Sequence, residues 1–285
     1  MPSYIDLHTH TNASDGALSP TELVNVAKNA GISHIAITDH DTADGLDEGI
    51  AAGTAQGICV IPGIELSATF PREMHILGLF IDHNHPDFAA KSALLADFRA
   101  ERNIKMIESL TEQGMPITVE EVLATKDGGT LADIGRLHLA IALVNNGYAD
   151  DVKDAFARHL GGNSKAYVAR QKLSPSECIE LIKLIGGYAF WAHPVLSETD
   201  PDALEALLIE LKGYGLDGVE CYHSSHDLEY TELCLNLCAK HDLMISGGSD
   251  YHGANKPSVQ IGQVLDEQYI DGHLLDDIKR KIGID

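Results

Sequence analysis

The 285-residue chain lacks long apolar runs and has few basic side chains for its length. No run approaches the roughly 18 consecutive apolar residues that a membrane span needs, so we expect no transmembrane helix. The chain carries 20 Lys and Arg against 43 Asp and Glu, a formal charge of −23. Such a negative field repels polyanions at long range, which argues against binding of duplex DNA along a broad surface.

Paired cysteines are also missing, since the five cysteines are odd in number and form no C-x-x-C pair. We therefore expect reduced thiols, most of them buried, in a cytoplasmic protein. The N-terminal segment M-P-S-Y-I-D has neither the basic nor the apolar stretch of a secretory signal peptide. The composition implies neither a membrane nor a protein partner.

Short apolar runs alternate with helical stretches along most of the chain. The pattern S-P-x-E, which begins at Ser19 and again at Ser174, predicts a helix start with a serine N-cap and a capping-box glutamate. Seven apolar runs bounded by Gly, Pro or polar residues are predicted strands, at residues 4–7, 33–38, 58–64, 75–81, 188–192, 218–222 and 243–246. This alternation favours a parallel sheet, and seven or eight strands favour an α/β barrel.

One stretch departs from this alternation. From about residue 87 to 162, apolar residues recur at helical spacing and no strand is evident. We therefore predict a helical insertion over residues 103–165, between two strands of a barrel formed by residues 1–102 and 166–285.

Nearly every predicted strand has a histidine or a carboxylate at one end, in the order D-L-H-T-H, T-D-H-D, P-G-I-E, M-H-I-L-G, W-A-H-P and G-S-D-Y-H-G. The alternation of side chains along a strand points both imidazoles of H-x-H to one face, where they can reach one cation. Barrel enzymes build their sites at the carboxyl ends of the strands. The nine candidate ligands are His8, His10, Asp15, His40, Glu65, His75, His193, Asp250 and His252.

Nine ligands exceed the roughly four to six that one cation takes, so we expect two to three divalent ions. Glu65 and Asp250 are suited to bridging two of them. Imidazole with carboxylate favours Mn²⁺, with Fe²⁺ and Zn²⁺ as alternatives. Unrelated buried histidines are the competing interpretation, but their chance placement at six strand ends is improbable.

These motifs, in order from Asp6 to Gly253, resemble the PHP family, the polymerase and histidinol phosphatase superfamily of metal-dependent phosphoesterases. The resemblance implies a distorted (β/α)₇ barrel and a three-metal centre. It assigns His8, His10, Glu65 and Asp250 to the first metal, Glu65, His75 and His193 to the second, and Asp15, His40 and His252 to the third.

Residues 135–138, G-R-L-H, resemble the branch that acts on nucleoside 3′,5′-bisphosphates and short 5′-phosphorylated oligonucleotides. The resemblance implies that the insertion covers the active site and binds substrate through Arg136 and Lys165. Ser14 and His138 are further candidates for substrate contact. Surface solvation is the alternative role for Arg136 and Lys165.

The expected reaction is therefore hydrolysis of a nucleotide phosphate monoester by hydroxide generated at the metals. The expected substrate is the 5′-phosphate of a nucleoside 3′,5′-bisphosphate or the 5′ end of a short RNA. His223, at the end of a predicted strand, is a candidate proton donor, with loop capping as the alternative role. Histidinol-phosphate phosphatase, amidohydrolase acting on a C–N bond and non-catalytic binding module remain as competing functions.

Overall fold

A computed structural model describes residues 3–126, 128–169, 171–265 and 268–284. The chain divides into two compact units. The first comprises Met1–Phe88 and Leu173–Asp285, and the second comprises Ala89–Lys172. The insertion predicted over residues 103–165 lies within the second unit.

The first unit is built on one mixed sheet. Its strands, within the part of the chain that the structure describes, are β1 (Tyr4–Thr9), β2 (Ile32–Ile37), β3 (Cys59–Ser67), β4 (His75–Leu79), β5 (Tyr188–Ala192), β6 (Gly218–His223), β7 (Met244–Gly248) and β8 (Ile270–Asp271). They are ordered β7-β6-β5-β4-β3-β2-β1-β8. All seven predicted strands are present, and the two-residue β8 is an addition that the sequence did not indicate.

The sheet nearly closes on itself, as the barrel prediction requires. The segment after β7 hydrogen-bonds to β1, because the amide of Asp250 donates to the carbonyl of His8 and the amide of His10 donates to the carbonyl of Tyr251, both at 3.0 Å. Gly248 permits this approach, since a Cβ at that position would collide with the side chain and backbone of His8. The α/β barrel predicted from the sequence is therefore confirmed.

Two strands contradict the expectation of a parallel sheet, the short β8, which pairs antiparallel with β1, and β4. β4 pairs antiparallel with both β3 and β5, whereas β1 pairs parallel with β2, β2 with β3, β5 with β6 and β6 with β7. Residues 68–74, between β3 and β4, are too few for the helical crossover that a parallel connection needs. The reversal brings His75, the first residue of β4, opposite Ser67 at the end of β3.

The helices are distributed over both units. They are α1 (Pro20–Asn29), α2 (Leu46–Gln56), α3 (Pro86–Glu112), α4 (Val119–Leu123), α5 (Arg136–Asn145), α6 (Val152–Ala155), α7 (Pro175–Leu184), α8 (Pro201–Gly213), α9 (Leu228–His241) and α10 (His273–Ile282). Both predicted capping boxes are present, because Ser19 and Ser174 each accept a hydrogen bond from the amide of the glutamate three residues later, at 3.3 Å.

The second unit has its own apolar core, formed by α3 to α6 and the segments between them. Buried members of this core include Met106, Leu110, Val122, Ile134, Leu139, Leu143 and Leu160. Asn103 is buried among them and donates from Nδ2 to the carbonyls of Leu131 (2.7 Å) and Ile134 (2.8 Å). These two hydrogen bonds join α3 to the segment before α5.

The cysteine prediction is also confirmed. Cys59 is exposed, the other four cysteines are buried, and all five are free thiols. Among the described residues, no helix combines the length and the apolar character that crossing a membrane requires.

Candidate metal centre

The structure brings all nine predicted ligand residues together at one rim of the barrel. They come from seven places along the first unit. His8 and His10 lie at the end of β1, Asp15 in the turn after it, His40 after β2, Glu65 on β3, His75 at the start of β4, His193 after β5, and Asp250 and His252 after β7. The antiparallel course of β4 is what places His75 at this rim with the carboxyl ends of the other strands.

Glu65 lies at the middle of this cluster and is only 1% exposed. Five imidazoles surround its carboxylate. The distances are 2.8 Å from Oε1 to His75 Nδ1, 2.9 Å to His193 Nε2 and 3.4 Å to His8 Nε2, and from Oε2 they are 2.9 Å to His40 Nδ1 and 3.3 Å to His10 Nε2. A carboxylate with both oxygens so placed can bridge two cations.

The first predicted metal group converges beside Glu65. Asp250 Oδ1 lies 3.2 Å from His10 Nε2 and 3.6 Å from His8 Nε2. The ligand atoms of His8, His10 and Glu65 lie within 4.8 Å of one another. Imidazole nitrogens and carboxylate oxygens at this separation fit the first coordination sphere of one cation.

The second predicted group lies on the other side of Glu65. His75 Nδ1 and His193 Nε2 are 3.3 Å apart. His193 has a positive φ of 28°, a conformation that costs about 1–3 kcal/mol in a residue with a side chain. The exposed Glu73, which the sequence analysis did not single out, places a carboxylate oxygen within 4.8 Å of both imidazoles.

The third predicted group forms around Asp15. Its Oδ1 lies 3.2 Å from His252 Nε2 and its Oδ2 lies 3.7 Å from His40 Nε2. The Nδ1–H of His252 donates to the carbonyl of Asp250 at 2.9 Å, which leaves Nε2 without a hydrogen when the ring is neutral. That tautomer is the one that a metal ligand requires.

Glu220, which the sequence analysis did not identify, orients two residues of this cluster, His8 and His193. It is fully buried on β6, and its Oε1 accepts from His8 Nδ1–H at 3.0 Å. Its Oε2 accepts from the amide of His193 at 2.8 Å. The first bond fixes the hydrogen of His8 on Nδ1 and leaves Nε2 able to bind a cation.

Two buried aspartates hold the loops that carry the ligands. Asp6 accepts from the amides of His8, Ser249 and Gly262 and from the hydroxyl of Ser249. Burial raises the pKa of Asp6 to about 6, although these donors oppose the shift. The bonds from Ser249 fix the residue next to Asp250.

Asp39 anchors the turn that contains Asp15. It accepts from the amide and hydroxyl of Thr11, at 2.8 and 2.6 Å, and from the hydroxyl of Ser14 at 2.6 Å. Ser14, which is a predicted substrate contact, is only 3% exposed, and its hydroxyl donates to Asp39. The contact fixes the backbone beside Asp15.

The charges of the cluster are strongly coupled. Burial alone would raise the pKa of Glu65, but the imidazoles of His75, His40 and His8 hold it well below its usual range. Burial and the neighbouring His252 lower the pKa of His10 to about 3, so this ring is a neutral imidazole at neutral pH. Burial opposes protonation of His40, yet Glu65 and Asp15 raise its pKa to about 10. A cation that binds here therefore displaces protons from the cluster.

Several buried polar atoms of the cluster have no hydrogen-bond partner among the described residues. They include His8 Nε2, both ring nitrogens of His10, Glu65 Oε2 and His193 Nδ1. An unsatisfied buried polar atom costs about 1–3 kcal/mol, so an arrangement of this kind fits divalent cations better than a structural role alone. The donor set fits the predicted metals.

Two further side-chain nitrogens lie near Oδ2 of Asp250. Lys256 Nζ lies 2.7 Å from Asp250 Oδ2 and His223 Nε2 lies 3.7 Å from it. Burial lowers the pKa of His223, although Glu220 opposes the shift. Lys256 was missed because it stands in a polar loop, G-A-N-K, that carries no recognisable pattern.

The remaining predicted substrate residues lie in the second unit. The guanidinium carbon of Arg136 lies over the rings of Phe156 and Tyr167, at 5.7 and 5.5 Å from their centroids. Lys165 is exposed. His138 is buried, and its Nδ1 accepts from the amide of Gly135 at the start of α5.

Comparisons with known proteins show which family this chain is similar to. The PHP domain family profile matches residues 6–233. The chain is 34% identical over 253 residues to a 5′-3′ exoribonuclease of Haemophilus influenzae, covering 88% of this chain and 91% of that protein. It is 32% identical over 263 residues to a 3′,5′-nucleoside bisphosphate phosphatase of Chromobacterium violaceum, covering 92% of each.

A solved structure shares the whole fold. The crystal structure of a Bifidobacterium adolescentis protein, described as a metal-dependent phosphoesterase, superimposes with a TM-score of 0.86 at 33% identity. The match covers 99% of this chain and 98% of that one.

Proposed function

The chain belongs to the PHP domain family of metal-dependent phosphoesterases, and we propose that it hydrolyses phosphate monoesters of nucleotides at a centre of two to three divalent cations. The observation that carries the proposal is the set of five imidazoles around the buried carboxylate of Glu65. Relatives named as a bisphosphate phosphatase and an exoribonuclease support a nucleotide substrate.

In this proposal each metal is held by one of the three groups. His8, His10, Glu65 and Asp250 hold the first, Glu65, His75 and His193 the second, and Asp15, His40 and His252 the third. When bound, such cations, of which Mn²⁺ is the one we expect, activate water and neutralise the charge on the phosphate oxygens. Glu220 keeps His8 in the ligating tautomer, and Asp6 and Asp39 keep the ligand loops in place.

The proposed substrate is the 5′-phosphate of a nucleoside 3′,5′-bisphosphate or the 5′ end of a short RNA. Arg136 presents a planar guanidinium in cation–π contact with two aromatic rings, and its planar fork suits bidentate binding of a second phosphate. Lys165 provides an exposed point charge. In this assignment Arg136 and Lys165 bind the 3′-phosphate, and the metal ligands receive the 5′-phosphate.

The leaving oxygen requires a proton, which we assign to His223. Its Nδ1 accepts from the amide of Ser225 at 3.0 Å, so the neutral ring carries its hydrogen on Nε2. That Nε2–H faces Asp250 within the cluster and has no hydrogen-bond partner among the described residues. Such a donor is placed to give its hydrogen to a developing alkoxide.

The proposed substrate class is tested by phosphate release from the Mn²⁺-loaded protein. Adenosine 3′,5′-bisphosphate, AMP, a short 5′-phosphorylated RNA and histidinol phosphate are compared at equal concentration. The proposal expects the highest kcat/KM for the bisphosphate, with AMP as product, or for the RNA end. Release from histidinol phosphate alone would contradict the nucleotide assignment, and no release from any of the four would contradict the phosphatase assignment.

Replacement of Arg136 by Ala tests whether this residue binds the 3′-phosphate and not the 5′-phosphate. We expect KM for adenosine 3′,5′-bisphosphate to rise by about 10- to 100-fold, the effect of losing a charge-assisted hydrogen bond, while KM for AMP changes little. Arg158 pairs with Asp154 on the surface of the same unit, so Arg158→Ala is the matched control. Equal effects of Arg136→Ala on both substrates would contradict its assignment to the 3′-phosphate.

Replacement of His223 by Asn tests the proton donor. We expect kcat to fall by about 100-fold or more, the usual contribution of a positioned acid, with the metal content unchanged. His241, which binds Glu205 outside the cluster, gives the control variant His241→Asn. Wild-type turnover in His223→Asn would remove this residue from the mechanism.

A further inference from the structure

Lys256 contacts the candidate metal centre but belongs to none of the three ligand groups. Its Nζ donates to Asp250 Oδ2 at 2.7 Å, whereas Asp250 Oδ1 faces His10 and His252 at 3.2 and 3.4 Å. The two oxygens of Asp250 therefore have different partners. Oδ1 lies among imidazoles that can share a cation, and Oδ2 lies beside N–H donors.

His223 supplies the second of these donors. Its side chain is fully buried, and Nε2 lies 3.7 Å from Asp250 Oδ2, too far for a hydrogen bond. Because Nδ1 of His223 accepts from the Ser225 amide, the ring hydrogen of neutral His223 is on Nε2. A buried N–H donor thus points at the edge of the cluster, without an acceptor among the described residues, next to the Lys256 ammonium.

The backbone around Lys256 is fixed by local contacts. The amide of Lys256 donates to the carbonyl of Gly253 and its own carbonyl accepts from the amide of Val259, at 3.1 and 3.0 Å. The neighbouring Asn255 donates from Nδ2 to the carbonyl of Asp15 at 2.9 Å. The Lys256 side chain is 36% exposed, so its ammonium is held at the boundary between the buried cluster and solvent.

We propose that Lys256 is a substrate-binding residue of this centre, and that its ammonium binds a non-bridging oxygen of the scissile phosphate, beside the Nε2–H of His223 that faces the leaving oxygen. One N–H of the ammonium is used by Asp250, and the other two remain for an incoming anion. The proposal rests on the proposed function and adds to it a contact from the first unit. It therefore differs from the Arg136 and Lys165 contacts, which concern the second phosphate.

The negative charge of the carboxylates around the cluster makes the Lys256 ammonium important for binding a phosphate. The chain has a net charge of −23, and Glu65, Asp15, Asp250 and Glu220 all lie in or beside the cluster. A phosphate dianion that enters this region needs local positive charge from the protein as well as from metals. Lys256 provides one positive charge at the solvent-facing edge of the cluster.

The test measures binding of inorganic phosphate to the Mn²⁺-loaded protein by titration calorimetry, together with metal content. The variants are Lys256→Met, which removes the charge, and Lys256→Arg, which keeps it. The matched control is Lys183→Met, because Lys183 also pairs with an aspartate, Asp217, at 2.6 Å. Asp217 precedes β6 and so lies at the strand end opposite to the cluster.

We expect Lys256→Met to weaken phosphate binding by roughly 10- to 100-fold, as the loss of a charge-assisted hydrogen bond predicts. Lys256→Arg should retain most of the affinity, Lys183→Met should match wild type, and the metal content should not change. KM for AMP and for the bisphosphate should rise by the same factor in Lys256→Met, in contrast to Arg136→Ala.

Unchanged phosphate affinity in Lys256→Met would overturn the inference, and so would loss of metal from that variant, because Lys256 would then only support Asp250. The outcomes also separate this inference from the proposed function. Lys256-dependent phosphate binding without hydrolysis of any nucleotide would support the inference and contradict the nucleotide substrate. A wild-type protein that binds no phosphate would contradict both.

Discussion

Replacing Glu65 by Gln is expected to reduce turnover by on the order of a thousandfold. Bound metal ions stabilise the transition state by several kcal/mol, and each loss of about 1.36 kcal/mol lowers the rate tenfold. The Gln side chain keeps the volume of Glu65 but has one oxygen in place of two. It cannot accept from His75 and His193 on one side and from His40 on the other. The metal content should fall together with the activity.

The measurement combines phosphate release with elemental analysis of the dialysed protein. Glu205 binds His241 and Lys240 outside the cluster, at 2.6 Å in both cases, so Glu205→Gln is the matched control for losing a carboxylate that binds a histidine. Circular dichroism shows whether Glu65→Gln is folded. A folded variant with wild-type turnover and metal content would refute the bridging role.

Replacing Glu220 by Gln is the second change with a large expected effect, although Glu220 is not in any predicted metal group. The amide of His193 can only donate, so the Gln oxygen turns to it. The Gln NH₂ then faces His8 Nδ1, which must accept and shift its hydrogen to Nε2, the atom that faces Glu65. A protonated Nε2 does not bind a metal, so we expect metal affinity about 10- to 100-fold weaker, with a corresponding loss of activity.

Equilibrium dialysis against buffered Mn²⁺ checks this prediction. The same Glu205→Gln control applies, because its histidine partner lies outside the cluster. If Glu220→Gln bound Mn²⁺ as tightly as wild type, the tautomer of His8 would not depend on Glu220. The role assigned to this buried carboxylate would then be wrong.

The fold and the position of the site follow from features that are visible in the sequence. Short apolar strands ending in histidine or carboxylate residues predict a barrel with polar side chains at one rim, because parallel strands share their carboxyl ends. His8 and His10, two residues apart, indeed face the same cluster. The capping boxes at Ser19 and Ser174 also placed two helix starts correctly.

Other features depend on contacts between residues that are distant in sequence. Glu220 and His8 are 212 positions apart, and nothing in V-E-C-Y-H indicates that the glutamate faces a histidine on β1. The hydrogen bond from Lys256 to Asp250 likewise depends on how a polar loop folds back. The alternation of strands and helices predicts a parallel β4, and only the seven-residue connection before it, too short for a helix, indicates the reversal.

The strained backbone of the rim shows a related limit. Asp41, His193 and Asp250 adopt positive φ values of 57°, 28° and 59°, which side chains rarely permit. No local pattern predicts these conformations, since each residue follows an ordinary strand. Surrounding hydrogen bonds hold them in place, for example those that the amide of Ser67 donates to Asp41 and the amide of His193 donates to Glu220. Such strain is typical of functional sites.

The most direct test of the central claim is a metal titration of catalysis. The protein is stripped with chelator, Mn²⁺ is restored in steps, and phosphate release from adenosine 3′,5′-bisphosphate is measured at each loading. The account predicts no release from the stripped protein and full turnover at two to three ions per chain. Full turnover by the stripped protein, or none at any loading, would contradict a nucleotide phosphatase built on these nine residues.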